Sequence, residues 1–441
     1  MSPTTTRTLS MTSMLNASIA MHQKGQLQEA KAGYEAILTT QPHNYQALHL
    51  LGLVALQMGN FVLAEELIGK AIEIFPHNPD FFANRGLALQ QLQQLEAAVA
   101  SYSKAIALDP RHVGAYSNRG MALHRMGQLD AALASYDQAV ALNPGVAEFH
   151  FFRGNVLQAM QRHDSAIASY DKAVSLKAHY AQAFFNRGYS MQALRDWDAA
   201  LDSYDRAIHF LPEYAEAHCN SAAVLQELKR LDEAVAACDK ALAVKPGYAE
   251  AHTNRGIALY GMNRIEEALA SYDAAIAHKP DYLKAHTNRG VALHGLKQWD
   301  AALASYEQAI ALRPDYAQAH ASKGLTLHAC GRWDAAVASF DTAIALDSGD
   351  AQSYFNKSMT LLLRGDFAAG LPLYEWRWET ESSKSRKRNF TQPLWLGAEP
   401  VEGKTILLHS EQGFGDTIQF VRYAKRLASK SARIVLEAPQ A

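Results

Sequence analysis

The chain has 441 residues, 49% of them apolar, and its 42 basic and 44 acidic residues leave a net charge of −2. That balance gives no general attraction to nucleic acid, and no run of 18 apolar residues is present to span a membrane as a helix. The opening MSPTTTRTLSMTSML lacks the apolar core of a signal peptide, and three cysteines (Cys219, Cys238, Cys330) at no ligand spacing suit a reducing compartment, so a cytoplasmic location is expected.

After residues 1–10, which are expected to be disordered, an interval of 34 residues governs the chain. It separates Pro42, Pro76, Pro110 and Pro144, then Pro212, Pro246, Pro280 and Pro314, with Ala178 and Ser348 at the two steps that lack proline. It also links an alanine column from Ala64 to Ala336 without a gap, and glycines including Gly52, Gly86, Gly120, Gly154, Gly188, Gly256, Gly290 and Gly324. A tyrosine column (Tyr102, Tyr136, Tyr170, Tyr204, Tyr272, Tyr306) runs in the same phase, with Cys238 and Phe340 at two of its positions.

Within one unit, from Ala249, apolar residues recur at helical spacing twice: Ala251, Ile257, Ala258 and Leu259, then Ile265, Ala268, Leu269, Tyr272, Ala275 and Ile276. Gly261 and Asn263 punctuate the middle, and Pro280 closes the unit. Each unit therefore reads as two helices joined by a short turn. Gly256 and Ala268 mark close approach of the pair, and Tyr272 and Ala275 are expected to face the next unit. Such a hairpin cannot bury its apolar faces alone, so neighbours must stack.

The pattern resembles the tetratricopeptide repeat, over roughly residues 11–376 and about ten and a half units. The resemblance implies an all-α, right-handed solenoid of αα-hairpins, a repeat array over 11–378, whose first helices line a concave side. Where the family often carries tryptophan early in the first helix, this chain has Tyr116, His150, Phe184, His218, His252, His286 and His320, so stacking there should be weaker and wetter.

Two residues before the glycine column lie Asn84, Asn118, Asn186, Asn220, Asn254, Asn288 and Asn356. Six residues later come Gln90, His124, Gln158, Gln192, Gln226, Tyr260, His294 and His328, so that the two columns flank one broad face. The resemblance extends to O-linked N-acetylglucosamine transferases, in which such asparagines grip the backbone of an extended peptide. A carboxamide offers donors and acceptors that match a peptide's N–H and C=O whatever its side chains. The other reading is hydrogen bonding to a neighbouring helix end or to water. An arginine column (Arg85, Arg119, Arg153, Arg187, Arg255, Arg289) and an aspartate column (Asp137, Asp171, Asp205, Asp239, Asp273, Asp341) are expected to form inter-helix ion pairs, or else a groove for acidic partners. Most of the eighteen histidines recur one per unit, too far apart to meet at a metal, and no cofactor or metal is expected.

Past Gly365, Gly370, Pro372, Trp376 and Trp378 break the rhythm and are expected to cap the array. A linker over 379–403 carries Lys384, Arg386, Lys387 and Arg388 and reads as solvated, with Trp395 and Leu396 docking on the cap. Residues 404–441 read as strand (TILLH), glycine turn, helix from Thr417 to Leu427, and strand (ARIVLEA), a short βαβ, Rossmann-like fragment. Gly413 and Gly415 at that turn are candidates for cradling a phosphate. This stretch resembles the start of a heptosyltransferase-type glycosyltransferase-B domain, and the resemblance implies Asp416 as the base that deprotonates an acceptor hydroxyl. So short a piece leaves the catalytic domain truncated and this chain inactive as a transferase. Three roles follow: a scaffold binding a protein or extended peptide along its inner groove; a protein glycosyltransferase completed by missing sequence; or self-association through uncapped ends.

Overall fold

The computed structural model describes residues 11–384, 388, 390–395, 397, 399–409, 421–430 and 432–437. Antiparallel helical hairpins follow one another from α1 (Met11–Gln23) and α2 (Leu27–Thr40), through α3 (Tyr45–Gln57), α4 (Phe61–Ile74), α5 (Pro79–Gln91), α6 (Leu95–Leu108), α7 (Val113–Arg125) and α8 (Leu129–Leu142). They continue as α9 (Ala147–Ala159), α10 (His163–Leu176), α11 (Ala181–Ala193), α12 (Trp197–Phe210), α13 (Ala215–Glu227), α14 (Leu231–Val244), α15 (Ala249–Gly261) and α16 (Ile265–His278). The remaining pairs are α17 (Leu283–Gly295), α18 (Trp299–Leu312), α19 (Ala317–Ala329), α20 (Trp333–Leu346), α21 (Ala351–Leu363) and the short α22 (Phe367–Tyr374). The described residues form two compact units, one ending at Asn288 and one beginning at Arg289.

In the first unit the odd-numbered helix of each hairpin packs on its even-numbered partner, and each partner packs on the following hairpin. The sequence reason lies in the glycine and tyrosine columns. A Cβ placed on Gly86 would sit 2.5 Å from the Tyr102 ring, on Gly154 2.5 Å from Tyr170, and on Gly256 2.4 Å from Tyr272. The ring therefore lies flat on bare backbone of its own first helix, fully buried, where any side chain would displace it. Tyr272, expected to face the next unit, is thus seated first inside its own hairpin, and Ala275 makes the outward contact, clustering with Ala285. At the one hairpin where the glycine is Ala222, the ring is replaced by the smaller Cys238, and the two share a buried cluster with Ala258. The first hairpin reverses the trade: Ser18 faces Tyr34's helix at Gly33, whose added Cβ would meet the Ser18 hydroxyl at 2.1 Å.

Each hairpin turn contains one left-handed residue at the same phase. Gly25, Gly59 and Gly127 take it without strain at φ 73–77°, whereas Gln93, Gln161, Arg195, Lys229 and Asn263 hold it at φ 59–61°. A side chain there carries roughly 1–2 kcal/mol of strain, which the packing on both sides overrides.

The histidine column corrects the expectation of a wetter seam. His150, His218 and His286 are buried, and each Nε2–H donates to the carbonyl of the proline six residues earlier (Pro144, Pro212, Pro280) at 2.8–3.0 Å. His252 does the same to Pro246 at 2.9 Å. The imidazole thus pins the loop between hairpins, a task that tryptophan's indole could perform only by a different reach.

In the second unit the same glycine–ring contact recurs at Gly290 with Tyr306 and at Gly324 with Phe340. The last hairpin departs from it: Ser358 takes the glycine position and donates to the carbonyl of Gly370, at 3.0 Å. After α22 a 3-10 turn (Glu375–Glu379) carries Trp376, whose ring stacks on Tyr354 at 4.0 Å, so this half-hairpin closes over its neighbour. A short α23 (Glu381–Lys384) follows. Arg388 is exposed and makes two hydrogen bonds to Glu437 at 3.0 and 3.1 Å. Trp395 bonds locally to the Glu399 carbonyl, 2.9 Å, while Leu396 lies outside the described residues.

Strands β1 (Thr405–His409) and β2 (Arg433–Glu437) pair in parallel, Thr405 opposite Arg433, with helix α24 (Tyr423–Ala428) between them in sequence. Parallel pairing is what a strand–helix–strand order requires. The sheet has two strands among the described residues, and a Rossmann-like architecture goes beyond what they show. Gly413, Gly415 and Asp416 lie outside the described residues.

Candidate functional site

The asparagines sit in the middle of the solvent-facing stripe of each first helix. On α11 that stripe is Gln182, Asn186, Tyr189 and Ala193, residues spaced four, three and four apart, of which all but the half-buried Asn186 are exposed. On α7 it is Gly114, Asn118, Met121 and Arg125, and on α13 it is Glu216, Asn220, Ala223 and Glu227. Because the stripe repeats at 34 residues, α11, α13, α15 and α17 present Asn186, Asn220, Asn254 and Asn288 at one phase, whereas α9 carries Phe152 there and separates them from Asn84 and Asn118.

Part of the capacity of three amides is used laterally. Asn84 Nδ2 donates to His49 Nε2 at 3.0 Å, Asn186 Nδ2 to Asn155 Oδ1 at 2.8 Å, and Asn254 Nδ2 to the Cys219 carbonyl at 3.3 Å, each on the preceding first helix. Asn220 hydrogen-bonds the Tyr204 hydroxyl, favouring its ionised form against a larger opposing effect of burial. Asn118 and Asn288 make no side-chain hydrogen bond among the described residues. A carboxamide has two N–H donors and a carbonyl with two lone pairs, so one lateral bond leaves most of it available.

The second column acts as the joint between this stripe and the core. Gln192 Oε1 accepts from the Tyr204 hydroxyl at 2.7 Å, Gln158 from Tyr170 at 2.9 Å and Gln90 from Tyr102 at 3.1 Å, each twelve residues on. These bonds satisfy hydroxyls whose burial pushes their pKa far above the usual tyrosine value. Gln226 Nε2 donates to the Asn254 carbonyl at 2.8 Å, tying adjacent first helices together. In the second unit His294 Nδ1 lies 2.9 Å from Thr326 Oγ1, and His328 repeats the contact with Thr360. The sequence pattern placed both columns on one face but missed this division of labour. It also missed Asn155 and His49, the lateral acceptors, which belong to other columns; Asn155 stands where the neighbouring units carry Met121 and Tyr189.

On the edge formed with the second helices, the arginine and aspartate columns meet as ion pairs. Arg153 Nε lies 2.6 Å from Asp137, Arg187 2.7 Å from Asp171 and Arg255 2.7 Å from Asp239, every pair sixteen residues apart. The same guanidinium reaches forward sixteen residues to a serine of its own hairpin: Arg153 to Ser169, Arg187 to Ser203 and Arg255 to Ser271, at 2.7–3.1 Å. Each arginine therefore bridges two second helices, which accounts for the column without an acidic partner.

Among the described residues no group of three or more His, Cys, Asp or Glu could hold a metal, and no helix is long and apolar enough to cross a membrane. Burial holds Cys238 well above an ordinary thiol pKa and pushes Cys219 up to about 11, which makes both poor nucleophiles.

The architecture is that of a helical-hairpin repeat protein whose open face is built from first helices. Tetratricopeptide-repeat models match residues 21–87, 113–146, 147–180, 181–249, 253–317, 295–351 and 329–376, and a further TPR repeat model matches 91–127. The chain belongs to the tetratricopeptide-repeat family. Among solved structures it is similar to YrrB, described as a TPR protein with an unusual peptide-binding site, at 27% identity over 45% of this chain and 99% of that one, with a TM-score of 0.39. It is also similar to MamA, at 25% identity over 39% and 94%, TM-score 0.36. A third likeness is the C-terminal part of a TPR repeat-containing protein from Cytophaga hutchinsonii, at 14% identity over 54% and 98%, TM-score 0.48. No curated protein matches the chain.

The His49–Asn84 bond gives the site a pH dependence. Only a neutral imidazole can accept the amide N–H, and burial lowers the His49 pKa to about 4, the nearby Asp80 carboxylate opposing the effect in part. The unfolded chain, with an ordinary value of about 6.5, therefore takes up the proton first. Stability from this group is complete above pH 6.5 and is lost as the pH falls toward 4. Imidazole NMR at pH 5.5 should show His49 neutral, and His49→Gln should flatten the fall in stability between pH 6.5 and 5. Titration of His49 near 6.5 would contradict the assignment.

Proposed function

We propose that this protein is an interaction scaffold that holds an extended segment of a partner protein along the first-helix face of the unit ending at Asn288. The observation that carries the reading is the row of half-buried carboxamides Asn186, Asn220, Asn254 and Asn288 on successive first helices, with Asn118 beyond an interruption at Phe152, all of which keep donor or acceptor capacity. Regular spacing matters because a peptide in extended form also presents its N–H and C=O groups at regular intervals. Tyr189 and Tyr260 stand exposed on the same first helices and supply apolar contacts that amides cannot. Membership of a repeat family whose units stack into open faces supports the same role. Gln192 and Gln226 hold this face in register, and His294 does so in the second unit.

The test is binding of a partner peptide recovered by pull-down with the intact chain. Asn186→Ala, Asn220→Ala and Asn254→Ala should each weaken binding by about 0.5–1.5 kcal/mol, the worth of one hydrogen bond, with unfolding midpoints near that of the unmodified protein. Unchanged affinity in the triple variant would exclude the amide row as the binding element.

A second reading, that the repeats recruit substrate for a glycosyltransferase of which residues 404–441 are one piece, has one supporting observation: the parallel pairing of β1 and β2 around α24. On that reading Asp416 is the base and Gly413 with Gly415 the phosphate turn.

A further inference from the structure

The arginine bridges have one gap. The aspartate column continues through Asp205, but sixteen residues later the arginine is replaced by Ser221, and the serine that would receive its other end is replaced by Ala237. Asp205 is exposed at the cleft mouth and makes no hydrogen bond and no ion pair within 4 Å among the described residues. Arg230 and Lys240 act on it only at longer range, where they oppose the upward pKa shift that burial imposes.

At this point a cleft of about 230 Å³ opens between α12, α13 and α14, walled by Leu201, Ile208 and Leu225; its polar groups are Asp205, Ser221, His218, Lys240 and the Arg230–Glu233 pair, whose guanidinium is already held by its own carboxylate. A cleft of about 290 Å³ occupies the equivalent place one repeat earlier, and there Arg187 on its wall lies 2.7 Å from Asp171. The sister sites thus show what this geometry accepts: an aliphatic stem against the second helices and a planar cation on the aspartate.

We propose that the cleft at Asp205 is a socket for an arginine side chain supplied by a partner protein. The incoming guanidinium takes the place that Arg153, Arg187 and Arg255 fill from within the chain, paired to Asp205, with its methylenes on Leu201 and Ile208. Guanidinium suits the site better than ammonium because its flat fork reaches a carboxylate and a neighbouring oxygen together. The socket lies between second helices, away from the amide row of the first helices, so it fixes one point of a partner rather than its backbone. It stands independently of the peptide reading and could fail without it.

The experiment is a methyl NMR titration of the full chain with Nα-acetyl-L-arginine amide, using Ile208 and Leu201 as reporters, against the citrulline analogue that keeps the shape but lacks the charge. Saturable shifts are expected with the arginine compound, with affinity at least about tenfold lower for the citrulline analogue and for Asp205→Asn, the loss that one charge-assisted hydrogen bond implies. Ser221→Arg should restore an internal bridge, abolish the shifts and melt no lower than the unmodified protein. Equal shifts with both compounds, persistence in Ser221→Arg, or the same shifts at every other groove would overturn the proposal. Should Ser221→Arg fail to fold, Asp205→Asn alone decides it. Equal binding of Nα-acetyl-L-lysine amide would overturn the preference for a guanidinium.

Discussion

The contact on which everything else rests is an aromatic ring laid on the bare backbone of a glycine. Tyr170 on Gly154, Tyr204 on Gly188 and Tyr272 on Gly256 each bring a first and a second helix to the distance at which the invariant alanine column, fully buried from Ala64 to Ala268, can close the remaining space. The interaction is apolar and steric, with the ring hydroxyl as its polar handle. In Tyr170 and Tyr204 that hydroxyl emerges at the first-helix face and finds a glutamine carbonyl. One residue pair therefore sets the geometry inside the hairpin and also anchors the column that borders the open face.

From that constraint the two working surfaces follow. Fixed hairpin geometry repeats at 34 residues, so equivalent side chains line up: amides on the first helices, arginine bridges along the second. The bridges are exposed ion pairs, individually worth about 0–1 kcal/mol, and their value lies in orientation, since each guanidinium joins two second helices through Asp and Ser. Histidines do a similar job at the loops by holding proline carbonyls. A single hairpin, that of α13 and α14, departs in four columns at once, with Ser221, Ala222, Ala237 and Cys238 in place of Arg, Gly, Ser and Tyr. The concentration of change in one unit leaves the scaffold packed, because Ala222 and Cys238 compensate each other, while leaving Asp205 without its usual partner.

Much of this was legible in the sequence because the repeat multiplies each observation. Gly256 and Ala268 were placed correctly at a close approach from spacing alone, the arginine and aspartate columns were matched as ion pairs, and the asparagines were assigned to one face. What spacing could not give was direction. Whether Tyr272 faces its own helix or the next depends on a rotamer choice set by Gly256, and the buried role of His150 depends on the reach of an imidazole to a carbonyl six residues back. Lateral acceptors such as His49 and Asn155 escaped notice because each occurs once, outside the columns that carry the period. The region after Gly365 has no repetition to multiply its signals, which is why Glu437 as the partner of the exposed Arg388 is not legible from spacing.

The most direct measurement is a double-mutant cycle at the exceptional hairpin. If rings require bare backbone, Cys238→Tyr alone should destabilise the chain in urea unfolding by about 1–3 kcal/mol, the usual toll of overpacking, and Ala222→Gly added to it should recover most of that loss. Cys238→Tyr tolerated beside Ala222, with no coupling between the two positions, would contradict the account.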